Sequence, residues 1–291
     1  MTTCELTSTC RASLASRATR TWAGRATGPR ASTLRPTAKL ELALLALLYV
    51  GYSVARLIGD ANLGQATNHA YRLLHIEDAL HLDIERPANH VLGAFPLLAL
   101  IVSYWYSLLH YVVTPAVLLW AYRRHPGDYR RVRNALVIGS AIGLIGFTLL
   151  PMAPPRMLPG YVDTLAMTAQ HGWWGGDASA PKGLGALTNQ LAAMPSLHVG
   201  WALWCAWVVV GLTGKRWVRV LAYAYPIGTT LVVIATANHY VLDAVAGAAV
   251  IAVGFRLAGR AARSVQALEH EYQPEPELQA AAALESLPRA A

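Results

Sequence analysis

Charge is what this 291-residue chain has least of. Asp, Glu, Lys and Arg make up 14% of it and hydrophobic residues 55%, where a soluble globular domain carries roughly 25% charged residues. That shortage points to a bilayer rather than water as the main solvent. Cysteine is equally sparse: Cys4 and Cys10 lie in a polar stretch and Cys205 in an apolar one, which excludes both a disulfide framework and zinc-ligand spacing. The first 37 residues contain no apolar core of a secretory signal, and Glu5 is their one acid among Ser, Thr, Arg and Ala. That composition resembles an organelle transit peptide but reads first as a disordered tail. No repeat of solenoid length is present. The formal charge of +8 does not indicate nucleic acid, because the basic residues form no face on a soluble fold.

What the chain does have is apolar runs. Six can be drawn, at about 40–58, 94–121, 134–151, 197–213, 217–236 and 240–257, each near the roughly 20 residues a bilayer needs. The second is overlong and holds Pro96 and Pro115, which predicts tilt or a kink. Basic clusters flank the runs. Residues 122–133 carry five arginines against Asp128; Lys215, Arg216 and Arg219 follow, then Arg256, Arg260 and Arg263. With six spans all of these and the N-terminal segment fall on one side, which predicts that both termini are cytoplasmic. The expected organisation is a disordered tail over 1–37, a six-helix transmembrane domain over 38–263, and a second polar tail over 264–291 with Pro274 and Pro276 among glutamates.

The opposite side receives 59–93, 152–196 and 237–239. Tyr71, Leu73, Leu74, Ile76, Ala79, Leu80, Leu82 and Ile84 recur among His, Asp and Glu, the pattern of an amphipathic helix lying in the headgroup layer. The loop 152–196 is long enough to carry function. Trp173 and Trp174 within it read as interfacial anchors.

Three short stretches meet this outer face: Pro154-Pro155-Arg156-Met157, Pro195-Ser196-Leu197-His198 and His239-Tyr240-Val241-Leu242-Asp243. Ionisable groups at membrane depth are candidates for function. Taken singly, each has a plainer explanation. A histidine at a helix end is usually a satisfied interfacial residue, an acid in a first turn is favoured there anyway, and an arginine can snorkel. Their joint occurrence suits phosphoryl transfer. Ser196 is a natural helix cap after Pro195, and free amides at the helix starts would favour an anion. Arg156 offers a planar fork for phosphate oxygens. His239 and Asp243 share a helix face, so the carboxylate can orient the imidazole for nucleophilic attack, with His198 as acid and base.

These stretches resemble the type 2 phosphatidic-acid phosphatase superfamily, and more narrowly its inositol-phosphorylceramide-synthase-like branch. The likeness covers roughly 90–260 and includes Arg133-Asn134 and Gly160-Tyr161-Val162-Asp163-Thr164. It implies six helices, a lipid phosphate substrate and a histidine mechanism without metal or cofactor. It also makes His239 the nucleophile, Asp243 its orienter, His198 the acid/base, and Arg156 and Ser196 phosphate ligands. Two cations of the broader pattern are replaced here by Leu149 and Val233. Lys182 in the outer loop is a candidate substitute, and the departures fit the synthase-like branch better than a generic phosphatase. His69, His75, His81, His90, His110 and His171 stand outside any motif, and His110 is expected to make a buried hydrogen bond.

The sequence therefore predicts an all-α polytopic membrane protein with six transmembrane helices and one interfacial helix. Its function would be that of a lipid phosphatase or phosphotransferase whose site faces outward, in the plasma membrane. Its partners would be the bilayer and a lipid phosphate substrate; oligomeric state is left open. Two other classes compete. A metal-dependent hydrolase could use His198, His239 and Asp243, although no HExxH or close carboxylate pair supports it. A transporter or scaffold would call for midplane charges and paired broken helices, and neither is found.

Overall fold

A computed structural model describes residues 36–58, 63–175, 182 and 189–271, and all its regular structure is helical. Of the tails expected over 1–37 and 264–291, residues 1–35 and 272–291 lie outside the described residues. The helices are α1 (Ala38–Ile58), α2 (Leu63–Ala79), α3 (Glu85–Gly93), α4 (Pro96–Arg124), α5 (Pro126–Leu149), α6 (Thr164–Thr168), α7 (Leu197–Leu212), α8 (Arg216–Ala235) and α9 (Val241–Glu271). The last continues past the boundary expected at 263.

Among the described residues, four helices, α4, α5, α8 and residues 241–262 of α9, are long and apolar enough to cross a membrane. A shorter apolar helix, α7, has 16 residues and spans about 24 Å at ~1.5 Å per residue. Large apolar side chains lie exposed along the outside of the bundle, among them Leu97, Ile101, Tyr111, Val220, Leu221, Ile227 and Leu231. Such a surface suits hydrocarbon and is too extensive for a water-soluble monomer.

The basic stretch 122–133, expected as a loop, is helical on both sides of a single break. Pro126 restricts the residue before it, so His125 leaves the helical region at φ −133° and ψ 58° and α4 ends there. The same proline has φ preset for a first helical position, so α5 restarts at once. Arg133 is then drawn to α1, where it pairs with Glu41, which also accepts from Tyr129 Oη at 2.7 Å. Arg131 lies against Gly259 of α9. The basic clusters of α5 and α9 thus share one end of the bundle.

The single amphipathic helix expected from Tyr71 to Ile84 is broken, and the segment 59–93 that contains it holds two helices, α2 and α3. His81 adopts a left-handed φ of 56°, which a helix interior does not accommodate, and α2 stops before it. Trp174 is also not an interfacial anchor. It is fully buried, its Nε1 donates to Leu165 O at 3.0 Å, and Tyr104 meets it edge-on with ring centres 4.9 Å apart.

Glycine sets the spacing of the helices that carry the site. A Cβ on Gly247 of α9 would stand 2.1 Å from Ser196 O, and one on Gly200 of α7 would stand 2.9 Å from Gly247 O. Backbone therefore packs on backbone where α7 crosses α9, as small-residue interfaces in membranes allow. Ser196 N donates to Asp243 O at 2.9 Å across the same contact.

Candidate active site

The three sequence stretches come together at the end of the bundle opposite the basic clusters. Each is fixed by its local structure. Residues 155–157 form a short 3-10 turn after α5, and Arg156 N donates to Ala237 O at 2.8 Å. Ala237 itself has a left-handed φ of 54°, uncommon for a residue with a Cβ. The tight turn it makes lets Val233 O accept from both Asn238 N and His239 N at 3.1 Å. The outer loop is tied in through Met152 N donating to Leu191 O at 2.8 Å, which brings Ala193 over the turn.

His239 is held from both sides. Its Nδ1 lies 2.8 Å from Ala193 O and 3.4 Å from Asp243 Oδ2. Two oxygens on one side fix the tautomer with the proton on Nδ1, so Nε2 is the nitrogen that carries the lone pair. Nε2 faces His198 Nδ1 at 3.3 Å. Asp243 is fully buried, and its Oδ2 also accepts from Tyr240 N at 2.9 Å. His198 is clamped by rings: Tyr106 stacks on it with centres 4.4 Å apart, and His110 meets it edge-on at 4.5 Å.

A cavity of about 200 Å³ opens over the two histidines, and Arg156, Asn238, Asn189, Gln190, Tyr106 and His110 are among its lining residues. Arg156 Nε donates to Asn238 Oδ1 at 3.0 Å, and Nη1 lies 3.4 Å from Asp163 Oδ2. Its side chain is 8% exposed, so the guanidinium is a placed group rather than a snorkelling one. The arrangement presents an oriented imidazole, a second histidine and a fixed cation to one small volume.

Four of the five residues singled out in the sequence, Arg156, His198, His239 and Asp243, are brought together. Ser196 is the exception in placement. It is fully buried, and its Oγ accepts from Val199 N at 3.4 Å as the cap of α7, so in this geometry it shapes the helix start instead of lining the cavity. The α9 start differs too, because its first amides are already bonded to carboxylates. Val241 N donates to Glu85 Oε1 at 2.8 Å and Leu242 N to Glu77 Oε1 at 2.7 Å. Lys182 is exposed and does not line the cavity. Leu149 points outward at 77% exposure, while Val233 is buried in an apolar cluster with Leu165 and Trp174.

Several residues at the site were not found from sequence. His110 makes its expected bond, Nδ1 to Tyr106 O at 3.1 Å, yet it also lines the cavity. Asn238 and Asp163 hold Arg156, and Asp163 caps α6 through Ala166 N at 2.9 Å. For Asp163 the available signal was its place in the stretch Gly160–Thr164, and for Asn238 its place immediately before His239.

The match that decides the family is that of the PAP2 superfamily model, which covers residues 71–257. The chain belongs to the PAP2 superfamily. Its membership gives a phosphatase-type membrane enzyme acting on lipid phosphates, and it fits a bundle with apolar helices long enough to cross a membrane. Comparison with curated proteins and with solved structures finds no match. The matched stretch of this PAP2 chain begins at Tyr71, so it takes in α3 and most of α2 as well as the four membrane-length helices.

Proposed function

We propose that the chain is a membrane lipid phosphatase or phosphotransferase working through a phosphohistidine on His239. The observation that carries this is the double tether on His239 Nδ1 with Nε2 aimed at His198 across the cavity floor. In the first step the Nε2 lone pair attacks phosphorus and the bond to the leaving oxygen breaks. His198 gives that oxygen its proton, while Arg156 and the neutral donors of the cavity hold the remaining phosphoryl oxygens. In the second step His198 takes a proton from water or from an alcohol, which attacks phosphorus and frees His239. Asp243 supports the positive charge that develops on the ring. Ser196 contributes as a positioner of His198 through the start of α7.

The surroundings favour the inositol-phosphorylceramide-synthase-like branch. A single buried cation with Asn189, Gln190 and Asn238 makes a phosphate shell of low charge. Tyr106, His110 and Trp201 give the cavity an aromatic wall suited to an alcohol-bearing headgroup. The metal alternative fits less well. Asp243 touches one edge of the His239 ring and His198 the other, so the three do not converge on one point.

In the bilayer, α1 and α7 complete six spans, and α2 with α3 lies in the headgroup layer, where Tyr71, Ile76, Leu80 and Ile84 are exposed. The basic end faces the cytoplasm and the site faces outward, in the plasma membrane. Phosphate release from a lipid phosphate ester by purified protein, compared with His239→Ala, tests the reading. Turnover that persists in His239→Ala, or that is lost to chelator and restored by zinc, would overturn it.

A further inference from the structure

Two glutamates outside the phosphate cavity are placed with unusual care. Glu77 of α2 and Glu85 of α3 are fully buried. Each gives one oxygen to an amide in the first turn of α9, at 2.7 Å and 2.8 Å. With Asp243 on Tyr240 N at 2.9 Å, three consecutive amides beside His239 are bonded to three carboxylates from three helices. The remaining oxygens, Glu77 Oε2 and Glu85 Oε2, are buried without a hydrogen-bond partner among the described residues, so each carboxyl is engaged through one oxygen, on an α9 amide.

We infer that Glu77 and Glu85 are positioning residues for His239, two buried carboxyls that seat the start of α9 and so fix the Asp243–His239 geometry. The inference rests on the phosphohistidine reading for its link to turnover. Burying a carboxylate costs free energy that a packed apolar pair would not, so retaining two here calls for a role. The role visible in the structure is to satisfy the α9 amides. A helix start left to solvent or phosphate would carry His239 only loosely, and a displacement of ~1 Å in a reacting group can cost about 10²-fold in rate.

The titratable and charged groups facing the pair are Asp83 in the turn before α3, Arg86 of α3, Tyr161 of the outer loop, and Tyr240 and Asp243 at α9. Arg86 lies over the Tyr161 ring at 5.2 Å. Burial, then the neighbouring Glu85 and Asp243, pushes Glu77 up to about 8, and burial raises Glu85 as well. Above that value Glu77 is charged beside Glu85 and Asp243, which loosens the seat.

The test uses the whole protein in detergent. Glu77→Ala and Glu85→Ala each lower kcat by about 10²-fold with KM little changed. Glu77→Gln, which still accepts from Leu242 N and stays neutral, restores most of that loss. The wild-type rate falls as pH rises through about 8, and Glu77→Gln lacks this alkaline limb. A readout independent of turnover is the ring ¹⁵N resonance of His239, assigned with His239→Asn. It shifts across the same pH range in wild type and stays put in Glu77→Gln. An identical alkaline limb in both proteins, with a His239 resonance that moves alike in both, would overturn the inference. Wild-type protein without activity on lipid phosphates would count against the functional reading alone, because the histidine resonance still tests the seat.

Discussion

At the scale of single residues, the account turns on which atoms are already engaged. His239 Nδ1 is committed to Ala193 O and Asp243, so replacing the ring by alanine abolishes turnover while α9 stays in place. His198→Ala removes the acid/base and lowers kcat by about 10²–10⁴-fold. Asp243→Asn keeps the hydrogen-bond geometry but not the charge, and its loss is smaller than that of His239→Ala. Steady-state kinetics on protein of unchanged thermal midpoint checks all three. Glu77 adds a stability signature with a definite sign. Its folded-state value is raised to about 8 from 4.5, so the native protein holds a proton that the unfolded chain releases. Stability is therefore greatest below about pH 4.5 as far as this group is concerned, and it declines as pH rises towards 8. A plot of thermal midpoint against pH should flatten over that window in Glu77→Gln relative to wild type.

At the scale of elements, the close crossing of α7 and α9 puts the two histidines within reach of each other. Gly247→Ala would place a methyl against Ser196 O, where an ideal Cβ stands at 2.1 Å. It should cost about 1–3 kcal/mol of stability and separate His198 from His239, lowering both thermal midpoint and kcat. Gly51→Ala on α1, where a Cβ meets nothing within 4 Å, is the control, and it should leave the midpoint equal or slightly higher. Much of this level was legible in the sequence. The apolar runs fell close to the helices, and Pro195-Ser196 gave the start of α7 with its cap. What could not be read was tertiary. Hydropathy averages over 122–133 see arginines and report a loop, whereas Pro126 restarts a helix there. A pair of tryptophans next to glycines looks the same in sequence whether it anchors a headgroup layer or, like Trp174, fills a core. The pairing of Glu77 and Glu85 with amides more than 150 residues away has no local signal.

At the scale of the whole molecule, the two ends of the bundle are chemically opposite. One gathers arginines of α5 and α9, the other the cavity with Arg156, His198 and His239. The sequence reading reached this division from charge alone, and the structure arranges the same residues at opposite ends. The positive-inside rule is the ground for proposing that the arginine end faces the cytoplasm. Single cysteines at Gly127 and Lys182, in a background lacking Cys4, Cys10 and Cys205, test it with an impermeant thiol reagent on intact cells. Labelling at Lys182→Cys and not at Gly127→Cys is expected; the reverse pattern would put the site on the cytoplasmic face.

The central claim is that phosphorus is transferred to one nitrogen of one histidine. Rapid quenching of the purified protein with a labelled lipid phosphate ester, followed by peptide mapping, addresses it directly. An acid-labile phosphoryl group on His239, formed within the first turnover, absent from His239→Ala and accumulating in a His198→Ala protein slow to hydrolyse it, is the predicted result. Turnover by the wild-type protein with no phosphoryl group on His239 at any time, or with the label on another residue, would contradict it.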